Sequence, residues 1–224
     1  MSARACLVLL FIAAAASELS GQRPTHGRLF PPEDLGILES PDREEWQQPD
    51  SIMDALGIGE GSRVADVGAG GGWFTIRLAR RVGPGGTVYA EDIQRQMIES
   101  IQRRIADDGR LSKNVVTVLG TADDPRLPRG LNAVLIVDAY PQFQDPVTVL
   151  GHVAKALAAN GRLGIVDFKK DGAGGPGPPL DQRVDSSTVK LEAARAGLTL
   201  LEERSLRYQY LLVFGVDRRG PQVK

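Results

Sequence analysis

Asp66-Val67-Gly68-Ala69-Gly70-Gly71-Gly72 follows an apolar run at 63–67 and precedes an amphipathic one at 73–82. A strand, a glycine turn and a helix in that order bring backbone unusually close to a ligand, and the helix start offers unpaired N–H groups. The spacing narrows the ligand. A dinucleotide fingerprint, G-x-G-x-x-G, requires a third glycine where this chain has Trp73. The turn instead reads D-x-G-x-G-x-G. An acid two residues before the first glycine suits a cationic, amine-bearing ligand better than a pyrophosphate.

Outward from this turn, strand and helix patterns alternate. Short apolar runs at 87–90, 115–119, 132–138 and 161–168 read as strands, the fourth strand apolar on both faces and therefore central. Helical spacing occupies 94–106, 147–158 and 185–196. Two closing strands, 198–202 and 208–216, are joined by a short polar turn and read as an antiparallel hairpin. The expected fold is α/β: a doubly wound, seven-stranded, mostly parallel sheet with an antiparallel C-terminal hairpin strand. Ligands in such sheets bind at the carboxyl ends of the strands, where the strand order reverses.

Composition excludes several classes. Net charge is −1, without a basic stripe, so no nucleic-acid partner is expected. Cys6 is the sole cysteine, which rules out an intrachain disulfide and a thiolate zinc site. His26 and His152 lack metal-ligand spacing and give no nucleophilic triad, so no metal is expected.

The N-terminus has the layout of an export signal. Arg4 precedes an apolar run at 5–16, Ala14-Ala15-Ala16 offers a small-residue cleavage site, and a polar stretch follows. The run is short for a membrane span. The expectation is an exported protein; a membrane anchor, or a cytoplasmic protein with a misassigned start, are the alternatives. The domains are read as 1–22 signal or anchor, 23–50 N-terminal arm, 51–218 ligand-binding domain and 219–224 tail. Ser40-Pro41-Asp42-Arg43-Glu44-Glu45-Trp46 in the arm resembles a helix start, with Trp46 as a staple onto the domain.

Two further turns carry candidate ligand groups. The second strand ends Val88-Tyr89-Ala90-Glu91-Asp92. A carboxylate there accepts both hydroxyls of a ribose, and Asp92 is favoured over Glu91, which points to the opposite face of the strand. After the third strand, Gly120-Thr121-Ala122-Asp123-Asp124 places a backbone N–H at Ala122 and a carboxylate at Asp123 where they would pair with an adenine edge.

Taken together, these motifs resemble a class I S-adenosylmethionine-dependent methyltransferase, over roughly residues 46–216. Arg43-Glu44-Glu45-Trp46-Gln47-Gln48-Pro49 and Leu135-Ile136-Val137-Asp138-Ala139-Tyr140 are similar to a bacterial branch of small methyltransferases of undefined substrate. The resemblance implies a Rossmann-like methyltransferase fold and S-adenosyl-L-methionine as cofactor. It implies Asp66, Gly68, Ala69, Gly70 and Gly72 at the methionine end, Asp92 with Ile93 at the ribose, and Ala122 with Asp123 at the adenine. It also implies a small-molecule methyl acceptor beside the end of the fourth strand, where Asp138 and Tyr140 are the candidate catalytic groups. The Asn/Asp-Pro-Pro-aromatic motif of many N-methyltransferases is absent there, and Pro141 or Gln142 stands where many small-molecule relatives carry a histidine. A nicotinamide-dependent oxidoreductase and a non-catalytic S-adenosylmethionine-binding protein are the alternative readings.

Overall fold

A computed structural model of the chain describes residues 29–109, 113–171 and 175–216. The signal-like run at 5–16 and the tail lie outside the described residues. The strands are β1 (Arg63–Val67), β2 (Thr87–Asp92), β3 (Val115–Leu119), β4 (Leu131–Val137), β5 (Leu157–Phe168), β6 (Leu198–Ser205) and β7 (Gln209–Val216). The helices are α1 (Arg43–Gln47), α2 (Pro49–Ala55), α3 (Trp73–Val82), α4 (Arg95–Asp108), α5 (Pro146–Ala156) and α6 (Ser186–Arg195).

The strands form one seven-stranded sheet in the order β3-β2-β1-β4-β5-β7-β6. β1 pairs in parallel with both β2 and β4, so chain order reverses on either side of it. That reversal opens a crevice above the ends of β1 and β4. β7 is antiparallel to both β5 and β6 and lies between them. The expected α/β architecture and closing hairpin are therefore present, with β6, not β7, at the sheet edge.

Alternation along the strands divides the core into two layers. Val64, Val88, Ala90 and Leu135 face α2, α3 and α4, where Ile52, Phe74, Leu78 and Ile101 cover them. Ala65, Val67, Val134 and Ile136 face α5 and α6, where Leu150, Val153 and Val189 cover them. Burying each large aliphatic side chain contributes about 1.5–3 kcal/mol, and Leu78, Leu135, Ile136 and Leu150 are fully buried.

Most boundaries fall within three residues of the sequence reading, and the junction of α5 with β5 departs furthest. α5 ends at Ala156, and β5 begins at Leu157, not at 161. Asn160-Gly161 has turn chemistry, but Leu157 is buried and pairs with Leu131. Gly161 serves close approach: a Cβ there would sit 2.6 Å from the Leu131 carbonyl oxygen. The arm is also more structured than its composition conveys. Pro32–Glu39 forms a 3-10 helix, and Trp46 is buried with its ring 5.9 Å from Phe168 and 6.1 Å from Tyr208. Trp46 thus staples α1 onto the ends of β5 and β7.

Candidate functional site

The crevice at the reversal point is a cavity of about 190 Å³. Its floor is the turn after β1. Gly68, Gly70 and Gly72 all have positive φ (70°, 54° and 83°), a region that L side chains rarely adopt. Gly68 has a second constraint, because a Cβ there would lie 2.5 Å from the Cβ of Ala139. Asp66, Gly68, Ala69 and Gly70 line the cavity as expected, and so does Gly71. Gly72 does not. It caps α3 and packs on Ile101, whose Cγ1 would be 3.2 Å from an added Cβ. Its positive φ serves the turn into α3.

The end of β2 is tied to this floor. Asp92 accepts from the Gly70 N–H at 3.0 Å and from the Gln94 N–H at 2.8 Å. Its carboxylate lines the cavity and retains lone pairs for further donors. Ile93 beside it is 37 % exposed and also lines the cavity, an apolar surface for a flat ligand ring. Across the cavity stand Thr121, Ala122, Pro125 and Phe143. Asp123 is exposed and does not line the cavity. The turn closes on itself instead, through Thr121 N–H to the Asp124 carbonyl at 2.9 Å, and this leaves Asp123 facing solvent.

The two candidate catalytic residues part company. Asp138 lines the cavity with φ +56°, a left-handed conformation that Asp tolerates better than most residues. Its carboxylate is already engaged. Arg43 lies 3.1 Å from Oδ2, Gln47 donates to Oδ2 at 3.5 Å, and Gln209 donates to Oδ1 at 2.5 Å. Burial raises its pKa to about 6, against the opposing pull of Arg43. Tyr140 is fully buried in the layer between the sheet and α5–α6 and is not part of the cavity wall. Its hydroxyl donates to Glu192 on α6 at 2.5 Å. Burial, and next that hydrogen bond, hold its proton more firmly than in a free tyrosine. Tyr140 is a packing residue. The 3-10 turn Tyr140–Gln142 after β4 swings its ring to the far side of the sheet.

Sequence reasoning missed the roof and set aside one wall. Leu29, Phe30, Leu35, Glu39 and Arg43 close the cavity from the N-terminal side. Phe30 spans it: its N–H donates to Gln142 Oε1 at 2.9 Å, and its carbonyl accepts from Gln94 Nε2 at 3.0 Å. Arg43 lies with its guanidinium carbon 4.4 Å from the centre of the Trp73 ring. The wall set aside is Glu91, the less favoured of the two strand-end acids, which is buried, lines the cavity and accepts from the Gly68 N–H through Oε2 at 3.3 Å.

The charge balance of the cavity is acidic. Glu39, Asp66, Glu91, Asp92 and Asp138 contribute carboxyls, and Arg43 is the cation among the described lining residues. Asp66 accepts from the Thr75 hydroxyl at 2.7 Å, and burial raises its pKa to about 6, so it is largely ionised at neutral pH. A cavity of this kind accommodates a ligand that carries positive charge, with an apolar slot for a flat ring and a carboxylate for a diol.

Residues 65–163 match the family described as "Methyltransferase domain". Among curated proteins, the chain is similar to a nocamycin O-methyltransferase from Saccharothrix syringae, 32% identical over 133 residues that cover 59% of this chain and 44% of that protein. It is also similar to a ubiquinone/menaquinone biosynthesis C-methyltransferase from Hahella chejuensis, 28% identical over 70% of this chain and 61% of that protein. The chain spans about half the length of the curated relatives it matches. Among solved structures, a SAM-dependent methyltransferase from Aquifex aeolicus superposes with a TM-score of 0.78 at 25% identity, covering 83% of this chain and 98% of that one. An O-methyltransferase from neocarzinostatin biosynthesis, in complex with S-adenosyl-L-homocysteine and 1,4-dihydroxy-2-naphthoic acid, shares the fold at a TM-score of 0.65 and 20% identity, over 82% of this chain and 57% of that one.

Proposed function

We propose that this chain is a class I S-adenosylmethionine-dependent methyltransferase, that its cavity binds S-adenosylmethionine and that it methylates a small-molecule acceptor; the methyltransferase-domain match over residues 65–163 and the shared fold support this reading. The observation that carries this reading is the convergence of the glycine turn and the strand-end acid, joined by the Gly70–Asp92 hydrogen bond at 3.0 Å in one cavity. When bound, the cofactor supplies a methyl group activated by a sulfonium charge.

The protein's residues then have separable tasks. Gly68, Ala69 and Gly70 give backbone access at the methionine end, and the nearby Asp66 carboxylate favours the cationic ammonium. Asp92 accepts the ribose hydroxyls. Ile93 and Pro125 hold the adenine between apolar surfaces, with Ala122 at its edge. Arg43 faces the cavity beside Trp73 and complements the methionine carboxylate. Asp138 acts on the acceptor side chiefly by holding Arg43 and α1 in place, because its own oxygens are engaged.

The acceptor enters between the roof and the end of β4, past Leu29, Phe30 and Phe143. These apolar and aromatic walls favour a compact apolar ring compound. The names of the relatives support this: one is an O-methyltransferase of nocamycin, another a C-methyltransferase of ubiquinone and menaquinone biosynthesis. No histidine lines the cavity among the described residues. Positioning is the proposed source of the acceleration: an oriented pair of reactants accounts for much of what methyl transfer needs. The apolar segment at 5–16 is proposed as an export signal, to be tested by N-terminal sequencing of the mature protein.

Titration calorimetry with S-adenosylmethionine, S-adenosylhomocysteine and NADH tests the cofactor. Binding of the first two without the third is expected. Binding of NADH alone would overturn the reading. Incubation with methyl-labelled cofactor and a panel of phenolic and quinol compounds then identifies the acceptor.

A further inference from the structure

Glu91 is a buried, cavity-lining acid that the proposed chemistry leaves unused. It sits at the junction of all three cavity turns. Its Oε2 accepts from Gly68 N–H at 3.3 Å, and its backbone carbonyl accepts from Ala69 N–H at 2.8 Å, so it holds the turn after β1 twice. The next residue, Asp92, accepts from Gly120 N–H through its backbone carbonyl at 3.1 Å and so holds the turn after β3. The other carboxyl oxygen of Glu91, Oε1, lies directly against Gly120, where a Cβ would collide with it. That oxygen is buried and has no hydrogen-bond partner in the protein. The residue as a whole is 2 % exposed. A valine or alanine would fill the same buried site at no electrostatic cost, so the presence of a carboxyl needs a reason.

We propose that Glu91 is a positioning residue for the cofactor, its side chain keying the glycine turn after β1 to the turn after β3 so that the methionine and adenine ends of the site are held at a fixed separation. The inference rests on the S-adenosylmethionine reading above. Its geometry requires an acceptor for Gly68 and a planar group that fits under Gly120. A carboxyl provides both, and the glycine at 120 is the space that the planar group needs.

The surroundings of Glu91 also give the site a charge response. Three carboxyls face it: Asp92 on its own strand, Asp66 on β1, and Asp124 from the loop after β3. Arg43 acts on Asp66, and His152 on α5 lies 3.4 Å from Asp124. Burial, and then the neighbouring Asp92, raise the pKa of Glu91 to about 8. The side chain is therefore mostly a neutral acid at pH 7 and becomes an anion by pH 9. That added negative charge favours the sulfonium cofactor over the uncharged thioether product.

The test uses the full chain with Glu91→Val and Glu91→Gln, binding both S-adenosylmethionine and S-adenosylhomocysteine by calorimetry from pH 7 to pH 9. Glu91→Val is expected to weaken both ligands tenfold or more with an unchanged circular dichroism spectrum. Glu91→Gln keeps the acceptor and the shape and should recover most of that loss. In the wild type, the preference for S-adenosylmethionine over S-adenosylhomocysteine should rise about threefold or more from pH 7 to pH 9 relative to Glu91→Gln. The ligands' own amino groups titrate in this range with either protein, so the comparison between proteins isolates Glu91. Glu91→Val binding within twofold of wild type would overturn the proposal, as would Glu91→Gln being as weak as Glu91→Val or the two pH profiles coinciding. Should the wild type bind neither ligand, the cofactor reading itself fails, an outcome distinct from all of these.

Discussion

The Arg43 guanidinium and the Asp138 carboxylate meet at 3.1 Å beside the cavity, and this pair fastens the N-terminal segment to the end of β4. Both side chains are shielded from water, at 8% and 15% exposure. Gln47 from α1 and Gln209 from β7 complete the shell around Asp138. The left-handed backbone at Asp138 turns its carboxylate toward α1. The roof of the site is therefore held by charge as well as by the Trp46 staple.

Breaking one half of a buried pair leaves an uncompensated charge, at a cost of about 3–5 kcal/mol. Arg43→Met is expected to lower the unfolding free energy by about that amount. Adding Asp138→Asn should recover part of the loss, because the remaining groups are then neutral. Urea denaturation of the two single variants and the double variant measures the coupling. Additive losses would show that the pair does not act as a unit.

Gly68 and Ala139 set the closeness of β1 and β4 at the cavity floor. Gly68→Ala introduces two separate penalties, a left-handed alanine costing roughly 1–2 kcal/mol and a contact at 2.5 Å with the Ala139 Cβ. Ala139→Gly removes the second penalty only. Gly68→Ala should therefore be destabilised and lose cofactor binding, and the double variant should regain part of its stability. No rescue by Ala139→Gly would mean that the clash is relieved by backbone movement instead.

Much of this site was legible from the sequence, because its chemistry lies in contiguous turns. Asp66 to Gly70, Asp92 with Ile93, and Ala122 all line the cavity, each at or shortly after the end of a strand whose apolar pattern is clear. What was illegible depends on tertiary placement. Glu91 sits on the opposite strand face from Asp92, yet its side chain is long enough to reach Gly68. Arg43 and Phe30 come from a segment without periodicity, and their position depends on long-range partners at Asp138, Gln94 and Gln142. Tyr140 was misread because a strand-end aromatic is placed by the turn that follows it, and here that turn directs it to α6.

Tyr140→Phe separates packing from catalysis. The ring stays in place and the hydroxyl to Glu192 is lost. A hydrogen bond to a charged partner contributes about 1.5–3 kcal/mol, so stability in urea should fall by up to that amount. Affinity for S-adenosylmethionine and S-adenosylhomocysteine should stay within about twofold of wild type, a bound well below the tenfold that 1.4 kcal/mol represents. A larger loss of affinity would return Tyr140 to the site.

Glu91 also makes stability depend on pH in a predictable direction. Its pKa rises from an ordinary 4.5 to about 8 in the fold, chiefly through burial. The folded state thus holds a proton that the unfolded chain releases above about pH 4.5. Stability from this group is complete below that value and declines as pH rises, until the decline ends above about pH 8. Asp66 and Asp138, each raised to about 6, add a similar decline at lower pH in any variant that retains them. Asp92 and Asp167 are raised by burial as well, so it is the difference between wild type and Glu91→Gln from pH 6 to pH 8 that isolates Glu91. At about 1.4 kcal/mol per pH unit for a fully protonated group, and with the group half ionised by pH 8, the wild type should lose roughly 2 kcal/mol more than Glu91→Gln across that interval. Urea midpoints of both proteins at pH 6 and pH 8 measure the difference, and parallel declines would show that Glu91 is already ionised at pH 6.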